Sequence, residues 1–288
     1  MWKSANLFFV SLLLLVLCSC QNRERIVDQM ILSNYDFRLF QGTPAWELAK
    51  AVEDEDEERI NEILRNDSSL INFQSPKYGL TVLHMAVSHH NIKSVECLLK
   101  AKADVNIRDT EHGDTPLNKA CLYKDIEMVK LLVENGANVN VTEVSDSSKM
   151  PRSPLMSACF DDFRPGVDFL ISKGADVNYI MNGEYTPLTY SLFGNHYITA
   201  YSLLLHGADY TIPITHIRDY SKKGEGKIIR NVFIKEVLEN KKIDYLTRER
   251  DYYYKIVDFL AEKGVIVNES GEREFDISTF INELVTGD

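Results

Sequence analysis

The residues with a recognisable chemical pattern lie near the N-terminus, where an apolar run ends at two cysteines. The run from Leu7 to Leu17 has eleven residues, fewer than the roughly 20 that a helix needs to cross a membrane. It follows the charged Lys3 and is followed by small residues, an arrangement typical of a secretory signal peptide. The pattern therefore indicates export and processing at this end of the chain.

The residues Leu17-Cys18-Ser19-Cys20 resemble the lipobox of bacterial lipoproteins, in which the cysteine after two small residues is lipidated. The resemblance implies that Cys20 receives acyl chains such as palmitate and becomes the first residue of the mature protein. Modification of Cys18 instead would place the bulky Leu17 beside the cut. Because two or more acyl chains hold a protein stably at a bilayer, we expect a lipid-anchored protein of the bacterial cell envelope, on the periplasmic side of the outer membrane. An ordinary cleaved signal of a secreted eukaryotic protein is the alternative.

Few other residues form a pattern of known chemistry. The sequence has no G-x-S-x-G, H-E-x-x-H or paired C-x-x-C motif. The run from Ser221 to Lys227 ends in Gly-Lys but lacks the first glycine and the final hydroxyl residue of a phosphate-binding loop. His89 and His90 are adjacent and so do not share a helix face, and the acidic residues 53–58 lack the glycine spacing of a calcium loop. We therefore expect no metal, no cofactor and no catalysis.

Four segments of 26 residues align with one another without a gap. They span residues 81–106, 115–140, 153–178 and 186–211. Each begins with a Thr or Ser that can cap a helix, mostly followed by Pro at the first helical position, and three contain a Gly suited to ending a second helix. These features resemble the ankyrin repeat, with its T-P-L-H-x-A and G-A-D-V-N motifs. Such self-similarity predicts stacked helix pairs, each burying its apolar face against its neighbours.

The resemblance implies an all-α fold, an ankyrin-repeat solenoid of about six helix pairs, four of them clear and the two terminal ones degenerate. The predicted repeats span 45–76, 77–109, 110–144, 145–180, 181–213 and 214–268. A signal peptide (1–19) and a lipidated N-terminus and tether (20–44) precede them, and a C-terminal tail (269–288) follows. The register places Cys97, Cys121 and Cys159 on helices, where we expect buried thiols without a disulfide.

The charge of the chain is a further guide to its partners. Its net charge of −11 repels phosphate groups, so we expect no nucleic acid among them. Residues 218–255 contain eleven Lys or Arg against seven Asp or Glu. This local excess could lie against an anionic membrane surface, although a charged helix in a degenerate terminal repeat explains it more simply.

The resemblance also implies where a partner binds, because ankyrin ligands usually meet the concave side formed by hairpin tips and the ends of the first helices. The matching positions are Tyr78, His89, His112, Leu122, Tyr123, Arg152, Phe160, Tyr185 and Phe193. Aromatic residues and Arg are enriched in binding hot spots. The alternative is that the insert at 141–152 or the C-terminal tail covers this row.

Together these patterns predict a non-catalytic protein-interaction module that binds an unknown partner protein and is held at a membrane by lipid. One version of this prediction is an immunity or inhibitor protein that blocks a toxin or an envelope enzyme. The rival class is an enzyme whose site lies in residues 214–288.

Overall fold

The computed structural model describes residues 28, 32–140, 152–181, 183–213, 215–219, 227–232, 234–239, 248–265 and 267. The chain divides into two compact units, residues 1–138 and 139–288, called unit 1 and unit 2. The predicted signal peptide, Cys20 and the C-terminal tail from residue 269 lie outside the described residues. Within the described residues, no helix combines the length and the apolar character needed to cross a membrane.

The described part of unit 1 consists of three helix pairs and two short 3-10 helices. The pairs are α1 Trp46–Glu53 and α2 Glu57–Asn66, α3 Val82–Ser88 and α4 Ile92–Lys100, and α5 Pro116–Leu122 and α6 Ile126–Glu134. The 3-10 helices are Phe37–Phe40 and Ser68–Asn72.

Unit 2 continues the pattern and then departs from it. Its helices are α7 Pro154–Phe160, α8 Arg164–Ser172, α9 Pro187–Phe193, α10 Tyr197–Leu205, α11 Ile234–Glu239 and α12 Arg248–Glu262, and its strands are β1 Thr215–Asp219 and β2 Lys227–Val232. The strands form an antiparallel pair that joins Thr215 to Val232 and Asp219 to Lys227.

The first helix of each clear repeat starts where a hydroxyl side chain caps it. Thr81, Thr115 and Thr186 each accept a hydrogen bond from the backbone N–H three residues later, and each belongs to a complete capping box. Ser153 caps α7 in the same way through its side chain alone. These caps satisfy backbone donors that the first helical turn leaves unpaired, so the repeat motif itself determines where each helix begins.

Two turns of each repeat require left-handed backbone. The residue after the C-cap of the first helix has φ between 53° and 60°, and it is Glu55, His90, Lys124, Asp162 or Asn195. At the end of the second helix, glycines stand at φ 81–91°, at positions 136, 174, 207 and 264. Lys102 occupies this same position in its repeat with φ 70°, a conformation that costs a residue with a Cβ atom more than it costs glycine.

Helices of neighbouring repeats pack within each unit. In unit 1, α3 contacts both α1 and α5, and α2 contacts α4; in unit 2, α7 contacts α9, and α10 contacts α12. Asparagines at the repeat ends join successive repeats: Asn106 Oδ1 accepts from Asn138 N (2.8 Å), and Asn140 Oδ1 accepts from Asp176 N (2.7 Å). The stacked helix pairs predicted from the repeats are therefore confirmed in both units.

The terminal repeat differs in detail from the expected helix pair. The strands occupy part of the segment expected to hold its first helix, and the sequence of β2, KIIRNV, contains β-branched residues that favour strands. Residues 256–268 resemble the second helix and the end of a repeat, and the helix itself, α12, already starts at Arg248 and ends at Glu262. Tyr253, Ile256, Val257 and Leu260 are buried along α12 at helical spacing, so the apolar face extends beyond the part that resembles a repeat.

The packed region also begins before residue 45, where the sequence places the first repeat. Leu32, Phe37, Leu39 and Phe40 are all buried, the last two completely. Asp36 caps the 3-10 helix Phe37–Phe40 by accepting from Arg38 N. Residues 32–44 of the predicted tether are therefore part of the folded unit.

Candidate partner-binding surface

Three of the five predicted binding positions in unit 1, Tyr78, His89 and Tyr123, contact the chain's own N-terminal segment, defined here as residues 32–40. The Leu32 carbonyl oxygen accepts hydrogen bonds from Lys77 Nζ (2.8 Å) and from the Tyr78 hydroxyl (3.1 Å). Both donors belong to the hairpin that precedes α3. Tyr78, predicted to bind a partner, is thus engaged by the segment.

Two further predicted residues contact the same segment at the ends of the first helices. His89, the C-cap of α3, donates from Nε2 to the Tyr35 carbonyl oxygen (2.7 Å), and its ring lies 4.9 Å from that of Phe37. Tyr123, the C-cap of α5, meets the Tyr35 ring edge to face at 6.0 Å. Burial, together with the hydrogen bond to Tyr35, raises the pKa of Tyr123. Three residues of the row in unit 1 therefore contact a segment of their own chain.

The segment crosses the repeats in a defined direction. Asn34 Nδ2 donates to Glu111 Oε2 (3.2 Å) in the third repeat, whereas the Phe40 ring lies 6.5 Å from that of Phe73 near the end of the first repeat. From Asn34 to Phe40 the chain thus runs opposite to the order of the repeats. In unit 1 the N-terminal segment covers part of this row; residues 141–151 and the tail, the cover considered from the sequence, lie outside the described residues.

Unit 2 presents a cluster of aromatic side chains, called the aromatic surface and formed by Phe160, Tyr185, Tyr190 and Phe193. Phe160 and Phe193 are the last residues of α7 and α9, and their side chains are 50% and 47% exposed. Tyr190 lies between two of the rings, at 5.8 Å from Phe160 and 6.1 Å from Tyr185. Exposed rings at this density are what protein-binding sites use as anchors.

The turns beneath these rings are held in one conformation by side-chain hydrogen bonds. His196 Nε2 donates to the Phe160 carbonyl oxygen (3.3 Å), as Asn91 Nδ2 does to the Val52 carbonyl oxygen (3.1 Å) in unit 1. The Thr199 hydroxyl donates to Asp162 Oδ1 (2.6 Å) in the turn after α7. A surface fixed before binding loses less conformational entropy when a partner docks.

The remaining predicted residues are less prominent. Leu122, the last residue of α5, and Arg152 are half-buried. His112 is exposed at a hairpin tip, where its Nδ1 lies 3.7 Å from Glu111 Oε2. Cys20 lies outside the described residues, so its lipidation stays a prediction.

A buried charge cluster links this hairpin to α5. Lys119 Nζ lies 3.0 Å from Asp109 Oδ2 and 3.4 Å from Asp114 Oδ2. Asp109 Oδ1 accepts from the backbone N–H groups of His112 and Gly113. Burial alone would raise the pKa of Asp109, but the Lys119 charge and these donors lower it overall. The cluster therefore fastens the hairpin to the helix.

Within the described residues, the side chains that could together hold a metal ion lie at this cluster. Atoms of Asp109, His112 and Asp114 lie within 4.8 Å of one another. The Lys119 ammonium already lies against both carboxylates and offsets one of their two negative charges, so a cation would have to compete with it. The arrangement fits an internal ion pair better than a metal centre.

A shallow groove of about 290 Å³ lies among the second helices of the repeats in unit 2. It is lined by residues of α8, α10 and α12, among them Arg164, Tyr201, Leu205 and Lys255. Lys255 Nζ stands 4.1 Å from the centre of the Tyr252 ring. Because the Lys255 cation already covers that aromatic face, the groove offers fewer free anchors than the aromatic surface.

The three cysteines of the repeats are buried free thiols. Burial raises the pKa of Cys159 to about 12 and also raises that of Cys97. Since the thiolate is the reactive form, these side chains behave as core residues.

Three residues of these surfaces were missed at the level of sequence. Tyr190 occupies the same repeat position in α9 as Lys119 does in α5. A large polar side chain at this position was the feature of the sequence that could have identified Tyr190. Tyr35 and Phe37 lie in YDFRLF, which is too rich in aromatic and apolar residues for a solvated tether.

Comparison with known families agrees with the repeat geometry. Residues 48–143 match the family model described as "Ankyrin repeats (3 copies)". No curated protein matches the chain. Ankyrin repeats serve as protein-recognition units and are generally non-catalytic. Residues 48–143, a third of the chain, therefore match ankyrin repeats, which indicate a protein–protein interaction module.

Proposed function

We propose that this protein is a lipid-anchored binding protein of the bacterial cell envelope, without catalytic activity, that captures a partner protein on the aromatic surface of unit 2. The observation that carries the proposal is the pair of half-exposed rings, Phe160 and Phe193, at the ends of neighbouring first helices. In unit 1 the corresponding row already contacts the N-terminal segment. The open aromatic surface is therefore the better place for a second protein.

The lipid anchor rests on the sequence Leu17-Cys18-Ser19-Cys20. Mass spectrometry of the mature N-terminus tests it directly, with acyl chains expected on Cys20. We expect Cys20→Ser to move the protein from the membrane fraction to the soluble fraction. A mature protein with an unmodified N-terminus would contradict the anchor and leave the binding proposal standing.

Site-specific photo-cross-linking tests the binding surface. A photoreactive phenylalanine analogue is placed at Phe193 and, as a control, at Leu205, which is 58% exposed on the second helix of the same repeat. We expect one discrete adduct from position 193 in cells that express the protein, and none from position 205. Equal adducts from both positions, or adducts from 205 alone, would refute the proposal.

An inhibitor role is a narrower form of the same proposal. If the partner is a toxin or an envelope enzyme, capture on the aromatic surface blocks its activity. Phe160→Ser and Phe193→Ser proteins should then fail to protect against the cross-linked partner, while Leu205→Ser still protects.

A further inference from the structure

The N-terminal segment shows which kind of peptide the repeats of this chain accept. Its Tyr35 and Phe37 are separated by a single residue and meet two neighbouring repeats, Tyr35 at Tyr123 (6.0 Å) and Phe37 at His89 (4.9 Å). The backbone between the rings is also engaged, since the Tyr35 carbonyl accepts from His89. Two rings one residue apart therefore span one step between repeats.

The aromatic surface offers two rings that are likewise one repeat apart. Phe160 and Phe193 occupy identical positions in neighbouring repeats, and α7 and α9 pack directly on one another. Phe160 and Phe193 each precede the C-cap residue of their helix, whereas His89 and Tyr123 in unit 1 are themselves C-cap residues. About half of each Phe side chain is exposed, which leaves a ring face or edge for an aromatic partner at the usual 4.5–7 Å centroid separation.

We infer that the aromatic surface binds an extended peptide segment of its partner that carries two aromatic side chains separated by one residue. Each ring contacts one of Phe160 and Phe193, and the segment crosses the two repeats as residues 35–37 cross theirs. Asp36, the residue between the two rings, has an extended backbone (φ −103°, ψ 116°), and an extended residue directs the side chains on either side of it to the same side of the chain. This inference rests on the proposed function and adds the chemistry of the bound segment.

The probe is a fluorescein-labelled peptide with the sequence of residues 33–38, SNYDFR, titrated with the purified full-length protein and followed by fluorescence anisotropy. One control peptide has a glycine inserted between Asp and Phe, and another has Ser in place of both rings. We expect the probe to bind and each control peptide to bind at least tenfold more weakly. Equal binding of the probe and the spacing control would overturn the inference.

Protein variants locate the bound peptide. Phe160→Ser and Phe193→Ser should each weaken probe binding about tenfold, whereas Leu205→Ser, with a similarly exposed side chain, should leave it unchanged. All three are surface substitutions, and unchanged far-UV circular dichroism confirms that the fold is intact. If Tyr123→Ser weakens the probe and the two Phe variants do not, the peptide displaces the N-terminal segment and the inference fails.

Failure of this inference can be distinguished from failure of the proposed function. A position-193 cross-link to a partner, combined with no binding of the probe, retains the interaction surface and rejects the two-ring segment. Probe binding without a cross-link rejects the cellular role instead.

Discussion

Phe37→Ala and Phe160→Ala form a matched pair, because the same substitution is made at a buried and at a half-exposed ring. The Phe37 side chain is 2% exposed and packs on His89, whereas that of Phe160 is 50% exposed. Truncation of a buried Phe costs about 3–5 kcal/mol, including the cavity it leaves. At Phe160, half the burial and one aromatic contact are lost, which amounts to about 1 kcal/mol.

Thermal unfolding measures the difference. For a domain of this size each kcal/mol changes Tm by roughly 2–4 °C, so we expect Phe37→Ala to lower Tm by roughly 10 °C and Phe160→Ala by roughly 3 °C. Hydrogen exchange provides a local readout, because the amides of Leu39 and Gln41 donate to Asp36 and Arg38 carbonyls. These two amides should lose protection in Phe37→Ala.

The reasoning would be refuted by equal effects of the two substitutions, or by fast exchange at Leu39 and Gln41 in the unmodified protein. Either result would mean that residues 32–40 do not pack on the repeats. The Tyr78, His89 and Tyr123 row would then be open to a partner, and the preference for unit 2 would disappear.

Three other substitutions test the repeats themselves. Lys102→Gly should raise the free energy of unfolding by about 1 kcal/mol, because Lys102 holds a left-handed φ of 70° at a position where other repeats have glycine; urea unfolding measures the gain, and a loss of stability would contradict the reasoning. Lys119→Met should cost about 3–5 kcal/mol at pH 7, since it leaves the buried Asp109 without its ammonium partner; because the Lys119 charge helps to lower the pKa of Asp109, this cost should shrink in urea unfolding as the pH falls through the pKa of Asp109. Burial lowers the pKa of His84 to about 4. Between pH 4 and the ordinary His pKa the folded state therefore binds fewer protons than the unfolded state. The free energy of unfolding falls as the pH drops through this interval. His84→Asn retains the capping box, because Asn118 completes one at the same position of α5. The substitution should remove this part of the pH dependence in urea titrations at pH 7, 5 and 4. If the free energy of unfolding still falls as steeply with pH, other groups are responsible.

The repeat motifs predicted the helices because their signals are local. A Thr cap, a Pro at the first helical position and a Gly at the end act within one helical turn. The register that these motifs define also located the buried Cys97, Cys121 and Cys159. The β1–β2 hairpin was not predicted, because the terminal repeat was expected to form a helix pair like the other repeats.

The candidate surface was predictable only in part. Repeat alignment identified Phe160 and Phe193 as helix-end residues, and the structure shows both rings half-exposed. Alignment could not show that Tyr35 and Phe37 contact Tyr123 and His89, because these contacts join residues 52 to 88 positions apart in the sequence.

The sequence by itself determined the repeating unit, the ends of most helices and which residues lie at the hairpin tips and first-helix ends where a partner is predicted to bind. Each of these depends on interactions within about 30 residues, which a repeat records in its spacing. The tertiary structure decided which of those residues are available. Leu32, Phe37, Leu39 and Phe40 of the N-terminal segment are buried in unit 1, and their burial depends on packing between distant parts of the chain.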